Sequence, residues 1–203
     1  VELCKHFRRV VASDASENQI RHRFERKNID YVVFRAEEAT PLAEGSVDLV
    51  TVAQAVHWFD FDRFYAEVRR VGKKNGISII AVWSYAMHKI HPEIDRISAR
   101  LDAGGDILGQ FWPAEIRYVK DGYRTLPFPF KEVAAPPFRM ETSWNLYQLL
   151  NYMETWSAVK KYRQEKKSDP LDLVRGELAQ IWGDAQKERP VAWELSVRVG
   201  IVR

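Results

Sequence analysis

Three places in the 203-residue sequence put chemistry-bearing side chains directly after a compact apolar run. In an open α/β sheet such positions are strand ends, where ligands sit. Residues 9–13 (RVVAS) lead into Asp14, whose carboxylate can accept both hydroxyls of a ribose or serve as an ordinary helix N-cap. Residues 29–34 (IDYVVF) lead into Ala36-Glu37-Glu38, an acidic loop that either meets a ligand or is simply solvated. Residues 47–53 (VDLVTVA) lead into Gln54-Ala55-Val56-His57-Trp58. There the small Ala53 leaves room for a ligand, and a His-Trp pair follows at the mouth. A lone histidine is more often structural, but at a central strand end His57 is a candidate proton acceptor.

Other chemistry-bearing residues carry weaker signals. His88 and His91 lie near Glu93 and Asp95, but Pro92 and the absence of a helical His-x-x-x-His spacing argue against a metal. Lys160-Lys161-Tyr162-Arg163 with Lys166-Lys167 reads as a solvated helix face. Trp112, Trp144, Trp156, Trp182 and Trp193 read as packing, with one or two available to line a pocket.

The elements that must position these residues follow from periodicity. Ser16 with Gln19 suggests a capping box opening a helix to about residue 26, with only Ile20 and Phe24 as its apolar face. Residues 47–53 are apolar on both faces, as a strand buried in the middle of a parallel sheet should be. Asp60 caps a helix carrying Phe61, Phe64, Tyr65, Val68 and Val71 at helical spacing, and residues 77–83 (ISIIAVW) form a second fully buried strand. Alternating strands and helices with short connections predict right-handed βαβ units, hence a doubly wound, mostly parallel α/β sheet. Beyond residue 84 the texture becomes that of an inserted helical lobe. Pro92 opens one helix, Asn145 with Gln148 caps a second running through Leu146, Leu149, Leu150, Met153, Trp156 and Val159, and Asp169-Pro170 opens a third. Residues 191–199 alternate strictly and predict an edge-type antiparallel last strand. The division is one domain over 1–203, with a ligand-binding half over 1–85, a lobe over 86–190 and the last strand over 191–203.

Composition excludes several function classes. Thirty-one basic and twenty-eight acidic residues leave a net charge of +3, and the two signs are mixed along the chain, which points to neither nucleic acid nor an anionic membrane as partner. All apolar runs are shorter than a bilayer span. A single cysteine, Cys4, rules out an internal disulfide framework and any multi-cysteine zinc site, so the expectation is a cytosolic protein.

Taken together and in order, VVASDAS, FRAEEATPL, SVDLVTVAQAVHWFD and FYAEVRRVGKKNGISIIAVW resemble the class I S-adenosylmethionine (SAM) dependent methyltransferases. The small-molecule branch that contains trans-aconitate methyltransferase is the nearest in pattern. The resemblance implies SAM as cofactor and a small-molecule acceptor. It places Asp14 on the SAM ribose with Ala15 beside it, Ala36 and Glu37 at the adenine, and Ala53 and Gln54 along the methionine side. His57, Trp58, Trp83 and Tyr85 then face the acceptor. Relatives often carry Asp where Ala36 stands, so contact there falls to backbone or to Glu37. A carboxylate acceptor has no proton to lose and needs a cation, for which Arg117, Lys120 and Arg124 are loose candidates; a phenol or amine gives His57 a proton to take.

One expected part has no match. The family's first strand ends in a glycine-rich turn, and none of the ten glycines supplies it. Residues 1–7 read as the last turns of a helix, so the expectation is that this strand and turn are missing upstream. Their place is between the strand ending at Asp14 and the strand at 47–53, so a central gap with weak SAM binding is expected. Two other classes compete: a methyltransferase-like binding module without cofactor, and a dinucleotide oxidoreductase, which the missing glycine turn disfavours equally.

Overall fold

The computed structural model describes residues 1–38 and 41–202; positions 39 and 40, directly after the acidic residues 37 and 38, lie outside the described residues. After a single 3-10 turn at Glu2–Lys5 come β1 (Val10–Asp14), α1 (Glu17–Arg21), β2 (Ile29–Val33), β3 (Leu49–Ala53), α2 (Phe61–Val71) and β4 (Ser78–Tyr85). The lobe contributes α3 (Pro92–Ala99), α4 (Ile116–Lys120), β5 (Lys131–Val133), β6 (Phe138–Trp144), α5 (Leu146–Glu154), α6 (Ser157–Lys166) and α7 (Asp172–Trp182). The long β7 (Arg189–Val202) follows.

The α/β class is borne out, with β3 and β4 parallel and joined by α2, Leu49 opposite Ile79 and Ala53 opposite Trp83. Asp60 Oδ1 accepts the Arg63 N–H and starts α2, which buries Phe64, Tyr65, Val68 and Val71. The sheet itself differs from expectation. It is mixed rather than mostly parallel, because β7 returns antiparallel against β4, β5 and β6. For the same reason β7 is interior and not an edge: β4 takes one side of it, while β5 and β6 share the other. Strand β3 is not central. Among the described strands it pairs with β4 alone, and β1 pairs with β2 alone in a separate two-stranded parallel sheet.

Two helices also depart from the pattern. The first stops at Arg21 with no side-chain cap, since Phe24, 70% exposed, finds nothing to pack against. The helix opened by the Asn145–Gln148 capping box ends at Glu154, and a new one starts at Ser157. The break lies at Trp156, which turns into an extended conformation and packs on Trp112 and Tyr152, with ring centroids 5.7 Å away in each case.

Burial divides between two cores. One lies between α2 and the β3–β4 sheet and includes Val52, Val56, Ile80, Val82, Val119, Tyr123 and Val202. The other is the lobe's own, built on Ile94, Leu101, Leu149, Met153, Leu178 and Trp182.

Candidate active site at the carboxyl ends of strands β3 and β4

Gln54 turns the chain out of β3 with φ of 50°, a left-handed conformation that costs a non-glycine residue energy and is found where the surroundings over-determine it. Its backbone N–H donates to the Trp83 carbonyl and its Nε2 to the Tyr85 carbonyl, both at 2.9 Å. That leaves Oε1 buried with no partner. The turn feeds a single 3-10 turn over Val56–Trp58, which points His57 inward and leaves Trp58 half exposed beside it.

His57 is 5% exposed, and its Nδ1 lies 2.8 Å from the Tyr123 hydroxyl. Burial pushes the imidazole down to about 4, against the opposing pull of the Glu115 charge, so it is neutral at pH 7. Nε2 makes no hydrogen bond and keeps contact with solvent. Tyr123, missed in the sequence, comes from the end of α4, where Gly122 and Tyr123 take φ of 65° and 62° in succession. The only local signal is the Asp121-Gly122 turn pair, and it names no partner.

On β4, Trp83 and Tyr85 stand on one face with ring centroids 6.5 Å apart, and Tyr85 meets Trp193 edge-on at 6.3 Å. Ser84 points to the other face, is buried, and lies beside the Tyr123 phenol. His57 therefore joins Ser84 and Tyr123, while Trp83 and Tyr85 turn towards the aromatic residues of the lobe. Among the described residues six buried side-chain atoms make no hydrogen bond, and two of them, Gln54 Oε1 and Ser84 Oγ, lie at the ends of β3 and β4. In native proteins such atoms are few, and each asks for a water or a ligand.

The other predicted residues fall nearby or apart. Ala36 packs against the sheet core, and the Glu37 side chain, 8% exposed, reaches the Asp60 N–H at 3.4 Å and the Arg35 guanidinium at 3.8 Å. Glu37 is thus neither solvated nor free; it ties the loop after β2 to the start of α2. Asp14 and Ala15 are exposed at the end of β1, where Asp14 Oδ1 accepts the Ser16 N–H at 2.8 Å. The three candidate cations are engaged locally: Arg117 with the Tyr118 hydroxyl, Lys120 with Asp102, and Arg124 with the Asp121 carbonyl. Among the described residues no cluster of metal-ligating side chains occurs, and no helix is long and apolar enough to cross a membrane.

Comparison with known proteins bears directly on this strand-end site. A family model described as "Methyltransferase domain" matches residues 1–80. A Dictyostelium discoideum protein carrying a methyltransferase name is 30% identical over 183 residues, which is 90% of this chain and 68% of that protein. The chain belongs to the methyltransferase family. A solved structure described as a type II methyltransferase from Anaeromyxobacter dehalogenans is 40% identical and superimposes with a TM-score of 0.86, covering 98% of this chain and 83% of that one. A Schizosaccharomyces pombe methyltransferase of uncharacterised activity is 28% identical over 130 residues, 64% of this chain and 48% of that protein. This methyltransferase is therefore an enzyme whose fold agrees in both halves with that of a relative.

Proposed function

We propose that the protein transfers a methyl group from SAM to a small-molecule acceptor bound at the carboxyl ends of β3 and β4, in the manner of the trans-aconitate methyltransferase branch. The observation that carries this reading is the buried, unpartnered Gln54 Oε1 beside the exposed Ala53, with the unpartnered Ser84 Oγ at the end of the neighbouring strand. When bound, SAM supplies a methyl group already activated on a sulfonium, so the protein's part is alignment and exclusion of water. The residues present fit that ligand in part. Asp14 keeps one oxygen without a bond among the described residues and would hold the ribose, with Ala15 beside it. Ala36 and Glu37 would border the adenine, Gln54 Oε1 would accept from the methionine ammonium, and His57, Trp58, Trp83 and Tyr85 would border the acceptor.

The single-sided pairing of β1 and β3 favours a site completed by a further strand between them, ending in a glycine-lined turn. Calorimetric titration of SAM tests this on the present chain and on one extended upstream by roughly the 30 residues of a βαβ unit. The expected result is weak or no binding by the first and clear binding by the second. Failure of both to bind SAM would overturn the reading in favour of a family member that acts by binding a partner.

A further inference from the structure

We propose that Tyr123 is a positioning residue that holds His57 as its Nε2–H tautomer, so that His57 donates a hydrogen bond to an oxyanion of the methyl acceptor instead of taking a proton from it. The inference rests on the methyltransferase reading above and deepens it by assigning the residues that would hold the carboxylate acceptor which the trans-aconitate branch implies.

Tyr123 is fixed to an unusual degree. It is fully buried, sits in the left-handed region, donates its N–H to the Tyr118 carbonyl at 2.7 Å, and offers its carbonyl to Arg198 Nη1 at 2.9 Å. A strained backbone clamped on both sides serves to place a side chain, and what this side chain reaches is His57 Nδ1.

The direction of that bond follows from counting protons. Burial keeps the phenol protonated, well above its ordinary range, and keeps the imidazole neutral. A neutral imidazole donates from one nitrogen and accepts at the other. The Tyr123 hydroxyl has His57 Nδ1 as its hydrogen-bond partner, whereas Ser84 Oγ has none, so if Nδ1 carried the proton the buried phenol would have no acceptor for its own. With the phenol donating to Nδ1, the phenol proton and the imidazole lone pair satisfy each other. The proton of His57 is then on Nε2, the nitrogen that keeps contact with solvent.

A group of this kind suits an acceptor that loses no proton. A carboxylate oxygen gains the methyl through its own lone pair while the sulfur keeps the electrons of the broken bond, so nothing is left for a base to remove. A nearby N–H holds and aligns the carboxylate. The local engagement of Arg117, Lys120 and Arg124 leaves that task to a neutral donor.

Long-range proton–nitrogen NMR of the nitrogen-15-labelled chain reads the tautomer without any turnover. The expected result is His57 as Nε2–H at pH 7, and a rise of roughly tenfold in its proton affinity in Tyr123→Phe, where the bond to the neutral form is gone. The signal of His88, buried in the other core, should stay unchanged and report an intact fold. A wild-type His57 protonated on Nδ1, or an unchanged proton affinity in the variant, would overturn the assignment. Turnover of SAM by the chain extended upstream, with small carboxylates, phenols and amines as acceptors, tests the second half. Carboxylates should be preferred, His57→Ala should lower kcat about a hundredfold, and His57→Gln, which keeps an N–H donor, should stay within about tenfold of wild type. A preference for phenols or amines, with Gln as inactive as Ala, would make His57 a base and sink the donor role. Absence of SAM binding by the chain extended upstream would sink the SAM-transfer reading and leave the tautomer result standing.

Discussion

Asp14 and Gln54 each end a parallel strand, yet they stand in opposite situations. Gln54 is strained and half-buried, with its Oε1 fully buried, whereas Asp14 is exposed and makes one local turn bond. The two roles open to Asp14 separate by measurement. The structure makes Ser16, not Asp14, the N-cap of α1, so Asp14 contributes to folding only its turn bond to the Ser16 N–H, about 0.5–1.5 kcal/mol, while as a ribose partner its loss should weaken SAM by about 1–3 kcal/mol. We expect Asp14→Ala, in a form of the protein that binds SAM, to lose affinity by calorimetry with little change in thermal midpoint; unchanged affinity would count against the assignment. Gln54 and His57 could be singled out in the sequence because they directly follow a two-faced apolar run. Tyr123 could not, because the bond to His57 spans 66 positions and nothing local to either residue announces it. Glu37 was open to reading as solvated or ligand-bound, and its contact with Asp60 is equally a product of the tertiary fold.

At the scale of elements, the turn that ends α4 makes a sharp demand on Gly122. Its φ is 65°, and a Cβ there would lie 2.6 Å from Ser196 Oγ on β7. Gly122→Ala should therefore destabilise the protein by about 1–3 kcal/mol through strain and overlap, and should also displace the Tyr123 hydroxyl. Urea denaturation checks the first effect, and an undiminished midpoint would show that the turn can relax. Elements announced by local chemistry were legible in advance, among them α2 behind Asp60 and α5 behind its capping box. Those decided by distant partners were not. A continuous apolar pattern from Leu146 to Val159 hides the break at Trp156, whose ring packs at a tilt on the distant Trp112. The alternation of β7 reads as an edge strand because only pairing with β5 and β6 makes it interior. The position of β3 inverted for the mirror reason: its apolar faces suit the middle of a sheet, but it has one described partner.

For the molecule as a whole, two neutral buried histidines, one in each half, link folding to pH. His57 and His88 are both pushed down to about 4, chiefly by desolvation. In the unfolded chain they bind protons near the ordinary value of about 6.5, so between there and about 4 the unfolded state holds more protons than the native one. Stability is then complete above the unfolded value and drains away as pH falls through that window, by on the order of 3 kcal/mol for each residue at its lower end. Urea midpoints at pH 7 and pH 4.5 should differ accordingly, and replacing His88 with an apolar residue of similar size should flatten the dependence; equal midpoints in the wild-type protein would refute it. Strand β7 ties the halves together, since Val202 lies in the sheet core while Trp193 meets Trp144 and Tyr152 of the lobe at 5.0 and 5.9 Å. During synthesis that strand emerges after every element it joins. Until the ribosome has made it, β4 lacks a neighbour, and β5 and β6 have nothing to pair with. Neither half can finish folding while its own segment is being translated, so the nascent chain carries exposed strand edges for the whole time it takes to build the lobe. At about 5–20 residues per second that is several seconds in which chaperones have something to hold.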